Sequence, residues 1–486
     1  MWLAVLLVGC KGPADTGVVS AVFDDSFHWG SATAGFQVEM GCPSLPDEEC
    51  LDTASDWYQW VNDPDIIADS SLHVTGEDVS VGPGMWELFE DDVGRMAGDG
   101  MNAYRMSIEW SRVFPDGAAE AATTVDELAA YADADAVERY HAMLDALAAA
   151  DITPYVTVNH YTLPLWVHDG VACHADVATC SANGWVDGER IDKLIGLYAG
   201  YLGREFGGEV DLWATLNEPL ATVLSGYVLP GPDRSAPPGV SFAPEGVPVL
   251  HNQIISHATM FDQLHEQDTV DADGDGTAAS VGLVLNMAAV HPFDEDDPED
   301  LEAVDNFDYL YHRVFLDALT DGSWDVDLDG TVDETRSDLA DRLDWLGINY
   351  YVRVRVAGLP WPLIEDIPAS TFFPEVTWDP YPEGLAEVIE RGAAWQRPMV
   401  VTENGTPEVE GDSGVDILEG HLDALTSSRA AGHDVRGYLY WSFVDNYEWN
   451  HGMDLRFGLY SYDPVTKERE ERPVLDAFRT FIASPP

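Results

Sequence analysis

Met399-Val400-Val401-Thr402-Glu403-Asn404-Gly405-Thr406 places a run of apolar and β-branched residues before one carboxylate and then an Asn-Gly pair. Such a run reads as a strand buried on both faces, as in a parallel sheet, and Asn-Gly marks the turn that ends it. Glu403 is therefore delivered to the end of a buried strand. Leu212-Trp213-Ala214-Thr215-Leu216-Asn217-Glu218-Pro219 repeats the design, with Glu218 at the end of the apolar run and proline stopping it. Two carboxyl groups at strand ends can divide acid, base and nucleophile work on a single bond.

Either glutamate alone reads more simply as a loop hydrogen-bonder or a surface charge. Their flanks change that balance. Thr215-Leu216-Asn217-Glu218-Pro219 together with Val401-Thr402-Glu403-Asn404-Gly405 resembles family 1 of the glycoside hydrolases, the β-glucosidases and β-galactosidases. The resemblance runs from about Phe23 to Ile482 and implies a single (β/α)8 barrel with long loops at its top. Eight strand-like runs fit it, opening at Phe27, Asn102, Thr153, Leu212, Ser280, Trp345, Met399 and Val435, and Ala129 to Ala150 has the composition of an outer helix.

Several further residues acquire roles only through the resemblance. It implies that Glu403 is the nucleophile and Glu218 the acid/base, with Glu218 raised in pKa, Glu403 ionised and Arg105 beside it. Gln37, at the end of the first strand, is implied to bind two sugar hydroxyls, His160 to donate to one, and Asn217 to hold the 2-hydroxyl. Tyr351 is implied to bond the nucleophile, Asn349 to face the site, and Trp441 to floor the sugar ring. Glu448 and Trp449, in Asp445-Asn446-Tyr447-Glu448-Trp449, are implied to bind the far hydroxyls. Members acting on 6-phosphorylated sugars lack that glutamate, so an uncharged glycoside is expected. Tyr161, where many members have tryptophan, and Ile108-Glu109-Trp110-Ser111-Arg112 are similar to an archaeal-like branch. The aromatics Trp57, Tyr58 and Trp60 on the first long loop carry no assigned role.

The chain has 88 acidic and 23 basic residues and a formal net charge of −65, spread over its whole length. That charge repels nucleic acid and anionic membranes, and it fits a solvated surface in a saline setting. Trp2 to Cys10 is a short apolar run ending in Leu7-Val8-Gly9-Cys10, which looks like a bacterial lipoprotein signal with Cys10 as the lipid-bearing residue, although the usual basic residues before it are missing. The chain accordingly divides into a signal (1–10), a tether (11–22) and the barrel (23–486), and an envelope location is expected. Of the other cysteines, Cys42/Cys50 and Cys173/Cys180 lie close in sequence. Two local disulfides suit an exported protein; three pairings, or free buried thiols, remain open.

No cofactor is needed for this chemistry. Asp271-Ala272-Asp273-Gly274-Asp275-Gly276 and Asp325-Val326-Asp327-Leu328-Asp329-Gly330 do resemble the front half of a calcium loop, yet position twelve is Gly282 in one and Arg336 in the other. Structural calcium at Asp271/Asp273/Asp275 and Asp325/Asp327/Asp329 stands beside the alternative of acidic surface turns. The expected reaction is retaining hydrolysis of terminal β-D-glucosyl, galactosyl or fucosyl residues. A transglycosylase using the same intermediate and a sugar-binding lipoprotein without turnover are the alternatives.

Overall fold

The computed structural model describes residues 22–486 apart from 242–243, 359–374, 378–380 and 409–413. The lipobox and most of the tether fall outside these residues. Eight strands close into a barrel: β1 His28–Ala32, β2 Ala103–Ser107, β3 Thr153–Asn159, β4 Leu212–Asn217, β5 Ser280–Asn286, β6 Trp345–Tyr350, β7 Met399–Asn404 and β8 Val435–Trp441. Every neighbouring pair is parallel, each strand lies beside the next in sequence, and β8 returns to β1. Parallel neighbours need crossovers, and helices such as Ala134–Ala149, Gly188–Phe206 and Gly246–Gln267 supply them on the outside.

Strand alternation sorts the core into two layers. Ala32, Ala103, Ala214, Val284, Val400 and Leu439 point into the barrel, where small residues leave room for the Tyr155 and Trp345 rings. Met399, Val401, Leu346 and Ile348 point outward to the helices.

That alternation alone would send Glu403, two residues after Val401, toward the helices. The β6–β7 register shifts between Val401 and Glu403, and the β4–β5 register shifts between Ala214 and Asn217. Irregularities of this kind re-aim side chains, and both lie just before a predicted catalytic carboxylate. Beyond Glu403 the chain passes so close to β8 that a Cβ on Gly405 would lie 2.1 Å from the Trp441 carbonyl oxygen.

One boundary differs from expectation. β1 stops at Ala32, and Gln37 falls on the helical turn Gly35–Val38. The Gly35 N–H donates to Ser107 Oγ at 2.8 Å instead of to a ladder partner, which turns the chain out of the strand.

Many acidic residues do more than face solvent. Asp63, Asp78, Asp116, Asp133, Asp169, Asp187 and Asp297 each accept a backbone N–H at the start of a helical segment, using donors the helix itself leaves unpaired. Both local disulfides form, Cys42–Cys50 and Cys173–Cys180, with Cα separations of 5.9 and 5.0 Å. Among the described residues no helix is long and apolar enough to cross a membrane.

Beneath the first loop lies a buried polar cluster. Arg112 Nε donates to Glu39 Oε2 at 2.6 Å and its Nη2 to the Cys50 carbonyl at 2.8 Å, while Ser107 and Thr162 each donate to Glu109 at 2.6 Å. Glu39, Asp52 and Glu109 are all buried around this one guanidinium, so they do not all ionise together. Burial, aided by the Glu39 charge, pushes Glu109 up to about 8. An unfolded glutamate titrates near 4.5, so the folded protein holds the extra proton between these values and loses stability as pH climbs through that window. Glu109→Gln is expected to remove this slope, worth at most about 1.4 kcal/mol per pH unit. Thermal unfolding of both proteins from pH 5 to 8 checks it: the wild type should fall progressively behind the variant.

Candidate active site

The carboxyl ends of the strands open into a cavity that encloses about 960 Å³ when its open mouth is counted. Asn217 and Glu218 from β4, Glu403 from β7, and His160, Tyr351, Trp441, Glu448 and Trp449 line it. Three lining residues other than glycine, Tyr161, Glu218 and Trp449, have φ of 72°, 44° and 50°. Left-handed backbone of this kind costs about 1–3 kcal/mol per residue and gathers at functional sites.

The two central carboxylates have different neighbours. Glu403 accepts from Arg105 Nη1 at 2.7 Å and from the Tyr351 hydroxyl at 2.8 Å. Arg105 is fully buried and shares its other nitrogens with Thr157 Oγ1 (3.0 Å) and Asn217 Oδ1 (2.8 Å). Glu218 accepts from neutral donors, Asn349 Nδ2 at 2.9 Å and the Tyr161 hydroxyl at 2.6 Å. Thr402 Oγ1 donates to Asn349 Oδ1 at 2.7 Å and so fixes which way the Asn349 amide points.

Burial pushes Glu403 up to about 7; Arg105 and the Tyr351 hydroxyl pull against it, and the neighbouring Glu218 adds to the rise. The upward shift thus falls on the carboxylate expected to be ionised. Burial opposes its charge, and Arg105 divides its donors among three partners.

At the other end of the cavity Glu448 Oε2 accepts from Gln37 Nε2 (3.0 Å) and Asn446 Nδ2 (2.8 Å). Gln37 Oε1 and His160 Nδ1 are buried and have no partner among the described residues. A buried polar atom left unpaired costs about 1–3 kcal/mol. Burial, with Arg105 nearby, holds the His160 pKa far below its usual value, so the ring is neutral. Because Asn217 Nδ2 donates to His160 Nε2 at 3.0 Å, the ring proton sits on Nδ1. The site therefore presents one unpaired acceptor and one unpaired donor, which suits hydroxyl groups. The Trp441 ring stacks near His160 at 5.8 Å and 24°, and Trp449 stacks on Phe36 at 5.8 Å and 8°.

The family model for glycosyl hydrolase family 1 matches residues 19–484. The chain belongs to glycosyl hydrolase family 1. It is 31% identical to a β-galactosidase of Pyrococcus woesei, over 95% of this chain and 97% of that one. Its fold superimposes on Fpglu1 of Fervidobacterium with a TM-score of 0.81 at 28% identity, covering 96% and 97% of the two chains. A β-glucosidase of Pyrococcus furiosus gives a TM-score of 0.78 at 28% identity, covering 95% and 96%. This family 1 enzyme is thus a glycoside hydrolase on a (β/α)8 barrel.

One predicted site residue of the family 1 enzyme sits differently from expectation. Asn349 is fully buried behind the cavity, its amide committed to Asn217, Glu218 and Thr402, so it positions Glu218 instead of facing sugar. Arg105 likewise lies behind the wall, as expected of a supporting residue. Tyr161 is a direct partner of Glu218 that the sequence marked only as a branch variant. Of the unassigned aromatics, Trp57 lines the cavity 4.7 Å from the Trp449 ring, while Trp60 is core. Arg234 approaches Glu218 from a loop with no recognisable motif, and nothing in the sequence pointed to it.

The two acidic loops are also built differently. Carboxylate oxygens of Asp211, Asp271 and Asp273 lie within 4.8 Å of one another, as do those of Asp325, Asp327 and Asp333. Asp275 and Asp329 turn instead onto the backbone N–H groups of Thr277 and Thr331. Asp211 reaches across from before β4 to the N–H groups of Ala272 and Asp273, and Asp333 to that of Val326. The third carboxylate of each cluster comes from outside the alternating run.

Proposed function

We propose that the protein is a retaining β-glycosidase acting on terminal β-D-glucosyl residues, with Glu403 as nucleophile and Glu218 as acid/base. The observation that carries the reading is the unequal pairing of the two carboxylates: Glu403 takes a guanidinium hydrogen bond from Arg105 at 2.7 Å, whereas Arg234 stands 4.0 Å from Glu218, beyond hydrogen-bonding distance. In the first step Glu403 attacks the anomeric carbon as the glycosidic bond breaks, and the proton on Glu218 passes to the departing oxygen. Water then gives its proton to Glu218 and its oxygen to the anomeric carbon, freeing Glu403. Asn217, held between Arg105, Asn349 and His160, stands beside both carboxylates, where it suits the 2-hydroxyl. Gln37 and Glu448 suit the far hydroxyls of a neutral sugar. Relatives named as β-galactosidase and as β-glucosidase make galactose the second choice of sugar. The test is the anomer first released from a β-glucoside, followed by proton NMR. The β-anomer is expected; α-glucose as first product would replace the double displacement with an inverting one.

No step uses a metal, so chelation by EDTA is expected to leave kcat unchanged. Calcium at the two surface carboxylate clusters would register as a rise in Tm with kcat unaltered. Export as a lipoprotein is supported by the apolar run ending at Cys10 and by the two disulfides, which form in oxidising compartments. Cys10→Ala should then move the protein from the detergent phase to the aqueous phase on Triton X-114 partition.

A further inference from the structure

Arg234 is the cation that the mechanism above leaves unused. Its nearest carboxylate oxygen is Glu218 Oε2 at 4.0 Å, beyond hydrogen-bonding distance, and its side chain is 48% exposed on the cavity wall. In a chain with so few basic residues this is unusual. Arg105, Arg112, Arg469 and Arg472 are each closed onto a carboxylate at 2.6–2.7 Å. No other hydrogen bond or ion pair engages the Arg234 guanidinium among the described residues.

Its loop holds it in place. Arg234 and Gly231 exchange backbone hydrogen bonds at 3.0 and 3.2 Å, and the Ala236 N–H donates to the Ser225 carbonyl at 3.2 Å. Ser235 Oγ donates to the Leu72 carbonyl at 2.7 Å, and His451 Nε2 meets the Asp233 carbonyl at 2.7 Å. A turn fixed on both sides presents its side chain with little entropy left to lose on binding.

The position of Arg234 selects one part of the substrate. The proton on Glu218 must point at the glycosidic oxygen, so a group 4.0 Å from that carboxylate borders the leaving group. At the glycone end Glu448 disfavours negative charge. A guanidinium offers a planar fork of donors that matches a carboxylate. We propose that Arg234 makes the leaving-group side of the cavity selective for aglycones bearing a carboxylate. Substrates of this class are aryl or sugar-acid β-glycosides whose anion lies within a few bonds of the glycosidic oxygen. The inference rests on the β-glycosidase reading above.

The test compares kcat/KM for 4-carboxyphenyl and 4-carbamoylphenyl β-glucosides in the wild type and in Arg234→Gln and Arg234→Lys, at one fixed ionic strength. The two substrates differ in leaving-group acidity, but that difference cancels when the ratio is compared between proteins. The carboxylate-to-amide ratio is expected to fall about tenfold in Arg234→Gln and by less in Arg234→Lys, which keeps the charge and loses the fork. An unchanged ratio overturns the proposal, however the absolute rates move. So does a change confined to aryl β-glucuronides, which carry their carboxylate on the sugar. Absence of turnover on every glycoside, in a folded wild-type protein, would instead overturn the glycosidase reading itself.

Discussion

Glu403→Gln is expected to lower kcat on aryl β-glucosides by about 10⁴-fold or more, since losing a nucleophile removes the whole covalent route. Glutamine keeps the shape and an acceptor for Arg105 but cannot attack the anomeric carbon. Glu218→Ala should cost about 10²–10⁴-fold on poor leaving groups and much less on 2,4-dinitrophenyl glucoside, which leaves without protonation. Added azide separates the two roles by stereochemistry. In Glu218→Ala azide should attack the glycosyl-enzyme from the face water uses and give the β-azide. In Glu403→Ala it should take the place of the missing carboxylate and give the α-azide. If Glu403→Gln keeps kcat within tenfold of wild type, or the two variants return the same azide anomer, the assignment of roles fails.

The second large effect is expected at Arg105. Its three donor nitrogens each have a different partner, Glu403, Asn217 and Thr157, and a lysine ammonium cannot match that fan of directions. Arg105→Lys should lower kcat/KM by about 10²–10³-fold, the usual cost of one misplaced electrostatic contact at a reacting centre. The pH dependence carries the sharper expectation. Even with Arg105 pulling it down, the buried Glu403 carboxyl is raised to about 7. Weakening that contact raises it further, so less of Glu403 is ionised at a given pH and the acid limb of kcat/KM moves upward. The loss should be greater at pH 6 than at pH 8.5. A loss of equal size at both values would make Arg105 a scaffold residue with no hold on the charge of Glu403.

The sequence was most legible where residue type alone decides structure. The eight buried runs predicted strands, and all eight appear in one closed parallel barrel. Nearly all of the expected sugar-site residues sit on or beside the cavity; His160, Asn217, Glu218, Tyr351, Glu403 and Trp441 do so because each rides at or just past the end of a strand whose apolar pattern fixes its height. What the pattern could not show was register. The shifts before Asn217 and Glu403 arise from pairing between strands far apart in sequence, and they decide which way those side chains point. Asn349 was implied by the family resemblance to face the site, yet its amide is buried behind the wall on Asn217, Glu218 and Thr402. Arg234 escaped notice for a different reason: its position depends on where Leu72, Ser225 and His451 hold a loop, and no local periodicity encodes that.

The aspartates that begin helices set a rule for redesign. Lowering the charge of this protein, for work in dilute buffer or on a cation-exchange resin, tempts one to exchange surface acids for alanine or lysine wholesale. At Asp63, Asp78, Asp116, Asp133, Asp169, Asp187 and Asp297 that exchange would uncap a helical segment at about 1 kcal/mol each, enough in sum to consume a typical margin of stability. Asparagine at those seven positions removes the charge and keeps the acceptor. Aspartates such as Asp126 and Asp305, whose side chains are 94% and 76% exposed, are the places to begin.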